Sequence, residues 1–261
     1  MHATERERLI TKLLEHRGFV SFQELEAGID ASPATIRRDL ERMAGQGELE
    51  RVRGGAKLPD GATESPGGGA HLGGAPFHEN IARNTAEKAA IGRAAAALCT
   101  SGEGVMIDGG STTLQMCPHL AGLNLQVLTN SLHIVSALLP QPGTRILVPA
   151  GTVFREQNII LSAAGEESMP RFHAPKLFMG AAAMAPQGLM QADIVLVAAE
   201  RRLMDRADEI IVLVDSSKFR GSSGNVVCGL EEIDTVITDS GVTDAERGML
   251  EAAGVRVIVA S

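Results

Sequence analysis

Apolar positions recur at helical spacing over the first 45 residues: Leu9, Ile10, Leu13 and Leu14 in one segment, Leu25 and Ile29 in a second, Ile36, Leu40 and Met43 in a third. The third helix has the clearest borders. Ser32 can cap its free backbone N–H groups, Pro33 fits the first helical position where no N–H is needed, and Gly47 stops it. A Ser21 cap opens the second. After Gly47 the period shortens: Glu48-Leu-Glu-Arg-Val-Arg53 alternates, Gly54-Gly55 permits a tight turn, and Ala56-Lys57-Leu58 returns as a second strand.

Pro59 to Pro76 shows neither period and is rich in glycine, as a flexible linker would be. Order resumes at Phe77, with a helix expected from about Thr85 to Cys99. Seven short apolar runs follow, within 104–108, 125–129, 145–149, 176–180, 209–215, 235–238 and 255–260, most of them separated by helical patterns. That alternation predicts a largely parallel sheet with helices on both faces. Thr243 and Glu246 form a capping box for the last helix, which Gly254 closes. The expected fold class is therefore α/β, in three parts. Residues 1–58 form a winged helix-turn-helix domain, 59–76 a linker, and 77–261 a mostly parallel α/β domain.

Three helices followed by a hairpin is a layout that places the third helix in the major groove of double-stranded DNA. With Ile36, Leu40 and Met43 turned inward, Thr35, Arg37, Arg38 and Arg42 occupy other faces, where some can meet base edges or phosphates. Ser32, Pro33, Thr35, Arg37, Arg38 and Arg42, with Arg53 in the wing, are the candidate DNA contacts. The competing reading of these arginines is a solvated face paired with Asp39 and Glu41. The helix pair before them and the Gly-Gly hairpin after them favour DNA.

Composition adds limits. At 261 residues and 44% hydrophobic content, the chain suffices for two domains with a sizeable core in the larger. No apolar run approaches a membrane span and the charged start is unlike a signal peptide, which predicts a cytoplasmic protein without a membrane partner. Cys99, Cys117 and Cys228 are scattered, so neither disulfides nor a metal site is expected. Residues 1–58 carry ten Lys or Arg and ten Asp or Glu, and the net charge of −8 belongs wholly to the remainder. A neutral headpiece with few local cations binds DNA weakly alone, so a homodimer or homotetramer is expected.

Ligands of open α/β sheets sit beyond the carboxyl ends of the strands. Three such junctions are polar. Asp108-Gly-Gly-Ser-Thr-Thr113 offers two glycines for close backbone approach and three hydroxyls, Thr129-Asn-Ser131 is chemically similar, and Asp215-Ser-Ser-Lys218 adds a cation. Each alone reads as a turn and helix cap; together they describe an oxyanion or sugar-phosphate pocket. No Walker A sequence or G-x-G-x-x-G is present, so no nucleotide cofactor is indicated, and none of another kind.

These motifs resemble the DeoR family of bacterial transcription regulators over nearly the whole chain. They are Ser32-x-x-Thr-Ile-Arg-Arg-Asp-Leu40, Arg53-Gly-Gly-Ala56, Asn84-x-x-Glu87-Lys88 and the three junctions. The resemblance implies a winged-helix headpiece and a sensor domain akin to ribose-5-phosphate isomerase. It also implies a repressor of carbohydrate-catabolism genes released by a phosphorylated sugar or sugar acid. By position, Asp108, Gly109, Gly110, Ser111, Thr112, Thr113, Thr129, Asn130, Ser131 and Lys218 would bind that effector. Arg155-Glu-Gln-Asn-Ile-Ile-Leu-Ser162 and Gly188-Leu-Met-Gln-Ala-Asp193 are most similar to the branch that regulates L-ascorbate and other sugar-acid genes. The chain departs from the common pattern at Asn80, Ala150-Gly151 and Gly180-Ala-Ala-Ala183.

Two rivals remain at this level. One is a sugar-phosphate isomerase or hydrolase with an accessory DNA domain, with Asp108 as base and Lys218 as electrophile. It is disfavoured because the three junctions hold no second acid. The other is a DNA-binding protein whose α/β domain only mediates assembly.

Overall fold

The computed structural model describes residues 3–17, 19–29, 31–52, 55–57, 77–161, 169–221 and 223–261. The expected linker, Arg53, Gly54 and Leu58 lie outside them. The chain divides into two compact units, Met1–Gly69 and Ala70–Ser261.

In the first unit, α1 (Ala3–Arg17), α2 (Phe22–Gly28) and α3 (Pro33–Gly45) are the three expected helices. A short strand between the first two, β1 (Phe19–Ser21), was not expected. It pairs antiparallel with β3 (Gly55–Lys57), which pairs in turn with β2 (Glu50–Val52), so the sheet order is β1-β3-β2. Val52 opposes Gly55, which belongs to β3; Gly54, with which Gly55 was expected to form the tight turn, lies outside the described residues. Ile10, Leu14, Val20, Leu25, Ile29, Ile36, Leu40 and Met43 form one core. Burying a large aliphatic side chain contributes roughly 1.5–3 kcal/mol, so this cluster outweighs the helix propensities of so short a chain.

The second unit is a parallel seven-stranded sheet. Its strands are β4 (Gly104–Ile107), β5 (Gln126–Leu128), β6 (Arg145–Leu147), β9 (Ala174–Met179), β12 (Ala207–Leu213), β14 (Thr235–Asp239) and β15 (Arg256–Ala260). They correspond to the seven apolar runs. Their order across the sheet is β15-β14-β12-β9-β4-β5-β6 and every pairing is parallel.

Alternation along each strand separates the two faces. Val105 and Ile107 pack with Ile91 of α5 (Thr85–Ala96) and Ile134 of α6 (Leu132–Leu138). Met106 faces the opposite way, into a core with Leu203 of α7 (Ile194–Met204) and Leu250 of α8 (Asp244–Ala252). That second face also carries an antiparallel sheet the apolar pattern did not reveal, formed by β10 (Ala183–Ala185), β11 (Gly188–Gln191) and β13 (Asn225–Cys228). A separate hairpin joins β7 (Thr152–Phe154) to β8 (Ile159–Leu161). The capping box closes as expected: Glu246 N donates to Thr243 Oγ1 at 3.2 Å and Thr243 N to Glu246 Oε2 at 2.7 Å.

Strand order locates the site. From β4 the chain moves outward to β5 and β6, and from β9 it moves the other way to β12, β14 and β15. The adjacent β4 and β9 thus define the topological switch point, where connections diverge and leave a crevice. Asp108 follows β4 and Gly180 follows β9.

Candidate functional site

The first unit presents an exposed face of α3. Ser32 caps it, its Oγ accepting from Thr35 N at 3.3 Å and sharing a 2.8 Å hydrogen bond with Thr35 Oγ1, and Pro33 occupies the first turn. Ile36, Asp39, Leu40 and Met43 are buried. Ser32, Pro33, Arg37, Arg38 and Arg42 are exposed and Thr35 partly so.

The arginines differ in their partners. Arg42 is held by Glu7 and by Asp39 at 3.0 Å, and Asp39 also accepts from Arg6 at 2.7 Å, so these groups tie α1 to α3. Arg37 stacks over the Phe22 ring, 4.8 Å from its centroid. Glu41 pairs with Arg51 of β2 at 2.9 Å. Arg38 makes no hydrogen bond, ion pair or ring contact among the described residues. The solvated-face alternative therefore accounts for Arg42 and does not account for Arg38.

The second unit contains a cavity of about 270 Å³ at the switch point. Asp108, Gly109, Gly110, Ser111 and Thr112 line it after β4, Asn130 after β5, and Gly180, Ala181 and Ala182 after β9. Gly109 is required by packing, because a Cβ there would stand 2.5 Å from Ile159 Cγ2. Its amide donates to Asn130 Oδ1 at 3.0 Å, and Asn130 Nδ2 donates to Asp108 Oδ1 at 2.7 Å, which locks the two junctions together. The next three amides, of Gly110, Ser111 and Thr112, have no acceptor among the described residues and remain available to an anion.

Cations stand on one part of this wall. Arg83 and Lys218 both line the cavity, and no carboxylate lies within ion-pair distance of Lys218 among the described residues. Burial lowers the Lys218 ammonium, and the nearby Arg83 charge adds to this, while Asp215 offsets part of it. Asp215 is already occupied, accepting from Asn84 Nδ2 at 2.8 Å and from Ser217. Behind it, the buried Lys88 donates to the carbonyl oxygen of Asn80, bracing the short helix α4 (Phe77–Asn80) whose last residue reaches the cavity. Arg83 is shared with Glu79 at 3.7 Å, and an anion with several oxygens fits Lys218, Arg83 and the free amides.

Acids occupy another part. Glu200, only 4% exposed, projects from α7 beside Asp108 and accepts from Gln191 Nε2 at 2.5 Å. Burial, reinforced by the Asp108 charge, holds the Glu200 carboxyl well above its ordinary range. Burial likewise pushes Asp108 up to about 6, tempered first by its hydrogen bond from Asn130. The two carboxyls are close enough for each to act on the other, the Asp108 charge raising Glu200 further.

The expected pocket residues divide into two groups. Asp108, Gly109, Gly110, Ser111, Thr112, Asn130 and Lys218 line the cavity. Thr113, Thr129 and Ser131 are buried braces beneath it: Thr113 Oγ1 donates to the carbonyl oxygens of Asp108 at 2.8 Å and Gly110 at 3.0 Å, Thr129 Oγ1 accepts from Ser131 N at 3.1 Å, and Ser131 caps α6. Asn80, Arg83, Gln157, Gln191, Glu200 and Ser223 line it without having been expected. The missing second acid is thus supplied by a helix rather than by a strand junction. Its signal was present in the sequence: helical spacing puts Glu200 on the same face as Leu196, Leu203 and Met204, and a carboxyl on a buried face is informative. Two of the three departures from the family pattern, Asn80 and the stretch after Gly180, also fall on the cavity wall.

Comparison with known proteins places both units in one family. The DeoR-like helix-turn-helix domain matches residues 6–62, and the DeoR C-terminal sensor domain matches residues 83–240. The HTH-type transcriptional regulators UlaR of Shigella dysenteriae and Escherichia coli are each 28% identical over 258 residues, 99% of this chain and 99% of theirs. Among solved structures, ribose 5-phosphate isomerase A from Methanocaldococcus jannaschii is similar over 52% of this chain and 55% of its own, with a TM-score of 0.38 and 16% identity. For eIF2B beta from Chaetomium thermophilum the shares are 58% and 50%, the TM-score 0.40 and the identity 15%. Similarities of that size do not define a fold, which here rests on the strand order. With a sensor-domain match over more than half of its length and a matching headpiece, the chain belongs to the DeoR family of helix-turn-helix transcriptional regulators, not to the sugar-phosphate enzymes.

Proposed function

We propose that this regulator represses genes of carbohydrate catabolism and leaves its operator when a phosphorylated sugar or sugar acid fills the switch-point cavity. The observation that carries this reading is the anion-compatible wall formed by Arg83, Lys218 and the free amides of Gly110, Ser111 and Thr112. A phosphate matches it in charge and in acceptor number. Operator contacts come from Ser32, Pro33, Thr35, Arg37 and Arg38 on α3, with Arg42 and the wing residue Arg53 at the flanks.

In this reading residues 1–58 form the DNA-binding domain, 59–76 the linker and 77–261 the sensor of a cytoplasmic homodimer or homotetramer. Paired headpieces read half-sites about 34 Å or a multiple apart on one face of the duplex. An effector that binds one sensor conformation more tightly shifts the population able to span them.

The test is a gel shift with DNA from upstream of the protein's own operon, with and without a panel of phosphorylated sugars and sugar acids that includes L-ascorbate 6-phosphate. Retardation that one of these compounds abolishes is the expected result. Retardation indifferent to all of them removes the sensor role, and failure to bind at low salt removes the operator.

A further inference from the structure

We infer that the stack of Phe77 on His133 is the joint through which a filled cavity acts on the chain entering the sensor at α4. This rests on the reading of the cavity as the effector site and deepens it.

Three residues of the cavity wall, Asn80, Asn130 and Gln157, come from three separate segments that converge on this stack. Asn80 ends α4, whose first residue is Phe77, and side chains three positions apart share one helix face. Asn130 precedes α6, which carries His133 in its first turn. Gln157 stands between Glu156 and Asn158 in the turn that joins β7 to β8. The rings of Phe77 and His133 lie with centroids 4.2 Å apart and planes 9° from parallel. The turn grips both partners: Phe77 N donates to the Glu156 carbonyl oxygen at 3.4 Å, and Asn158 Nδ2 donates to His133 Nε2 at 3.1 Å. Leu132 N donates to the Asn158 carbonyl oxygen at 3.0 Å and Ile160 N to that of Asn130 at 2.7 Å, which fastens the turn to the start of α6. Asn158 itself has a φ of 53°, the left-handed region that favours asparagine and glycine.

A ligand that touches Asn80, Asn130 and Gln157 sets the relative positions of α4, α6 and the turn, and the contact at which the three meet follows. Packed side chains pass such shifts on because their arrangements are discrete rather than continuously deformable. Phe77 is the first described residue after the expected linker, so a movement of α4 is a movement of the point from which the linker leaves. An effector with unequal affinity for two positions of this joint changes operator affinity, and the operator changes effector affinity in return.

The experiment uses the full-length protein and DNA from upstream of its own operon. Ribose 5-phosphate, glucose 6-phosphate, 6-phosphogluconate and L-ascorbate 6-phosphate are screened on wild type, and a compound that releases the DNA is carried to the variants. Phe77→Leu keeps an apolar side chain and removes the ring; Asn158→Gly keeps the left-handed turn and removes the bond to His133. The loss of operator affinity on saturation, at least tenfold in wild type, should shrink to about threefold or less in both, while calorimetry shows the compound still bound as in wild type. Leu138→Val, at a buried position of the same α6, should keep the wild-type response. A wild-type response in either stack variant whose circular dichroism matches wild type overturns the proposal. So does loss of compound binding in both, which makes the stack a support of the site alone, or an equal loss of response in Leu138→Val, which makes it general packing. If none of the four compounds releases DNA from wild type, the effector reading itself fails and this proposal falls with it. Should Phe77→Leu not fold, Asn158→Gly decides alone.

Discussion

Asp108 holds the site together and contributes to its charge. Its carboxyl is fixed by Asn130, its amide nitrogen donates to the Phe178 carbonyl oxygen of β9 at 2.9 Å, and its charge raises the Glu200 carboxyl. A carboxyl whose pKa is raised on folding binds more protons in the native than in the unfolded chain between the two values, so stability falls as pH rises through that window. For Asp108 the window runs from about 3.9, the ordinary value, to about 6. Asp108→Asn lacks this term, so its stability relative to wild type should rise between pH 4 and 6, as chemical denaturation at several pH values would show; a constant difference would mean that Asp108 is not protonated on folding. Arg38 is the corresponding residue on α3. Because it has no partner among the described residues, Arg38→Ala should leave the headpiece folded and weaken operator binding, by about 1–3 kcal/mol if it contacts a base. Unchanged operator affinity in a fluorescence titration would move the readout elsewhere on the helix.

At the scale of elements, α8 offers a control, because none of its residues lines the cavity. Its capping box satisfies orphan N–H groups, and Thr243→Ala should cost about 1 kcal/mol of stability in denaturant while effector response stays at the wild-type level. Altered response would mean that α8 takes part in signalling. The legibility of elements followed from how their burial is distributed. All seven parallel strands were visible because strands covered on both faces are continuously apolar, as in Ile210-Ile-Val-Leu213. β10, β11 and β13 were not, since a short sheet such as Ala183-Met-Ala185 and Gly188-Leu-Met-Gln191 has no sustained alternation. β1 was missed for a related reason: three residues between helices become a strand only because β3 lies beside them. The site followed the same division. Junction residues could be read locally, whereas Arg83 precedes a helix and Glu200 lies inside one, and both reach the cavity through the packing of those helices around the switch point.

For the whole molecule, charge is unevenly placed. The headpiece segment 1–58 is neutral and the rest carries the net −8, so in the proposed reading affinity for DNA depends on a few positioned cations and on bringing more than one headpiece to the duplex. That arrangement makes binding easy to switch, because an effector need bias the sensor by only 1–3 kcal/mol to change operator affinity some 5- to 150-fold. The central claim is that occupancy of the switch-point cavity sets this affinity. It is tested most directly by measuring operator affinity at one fixed salt concentration, with and without saturating effector, for wild type and Lys218→Ala. The account predicts equal affinities without effector and a loss of at least tenfold on adding it to wild type alone. An undiminished effector response in Lys218→Ala, or none in wild type with any phosphorylated sugar or sugar acid, would contradict it.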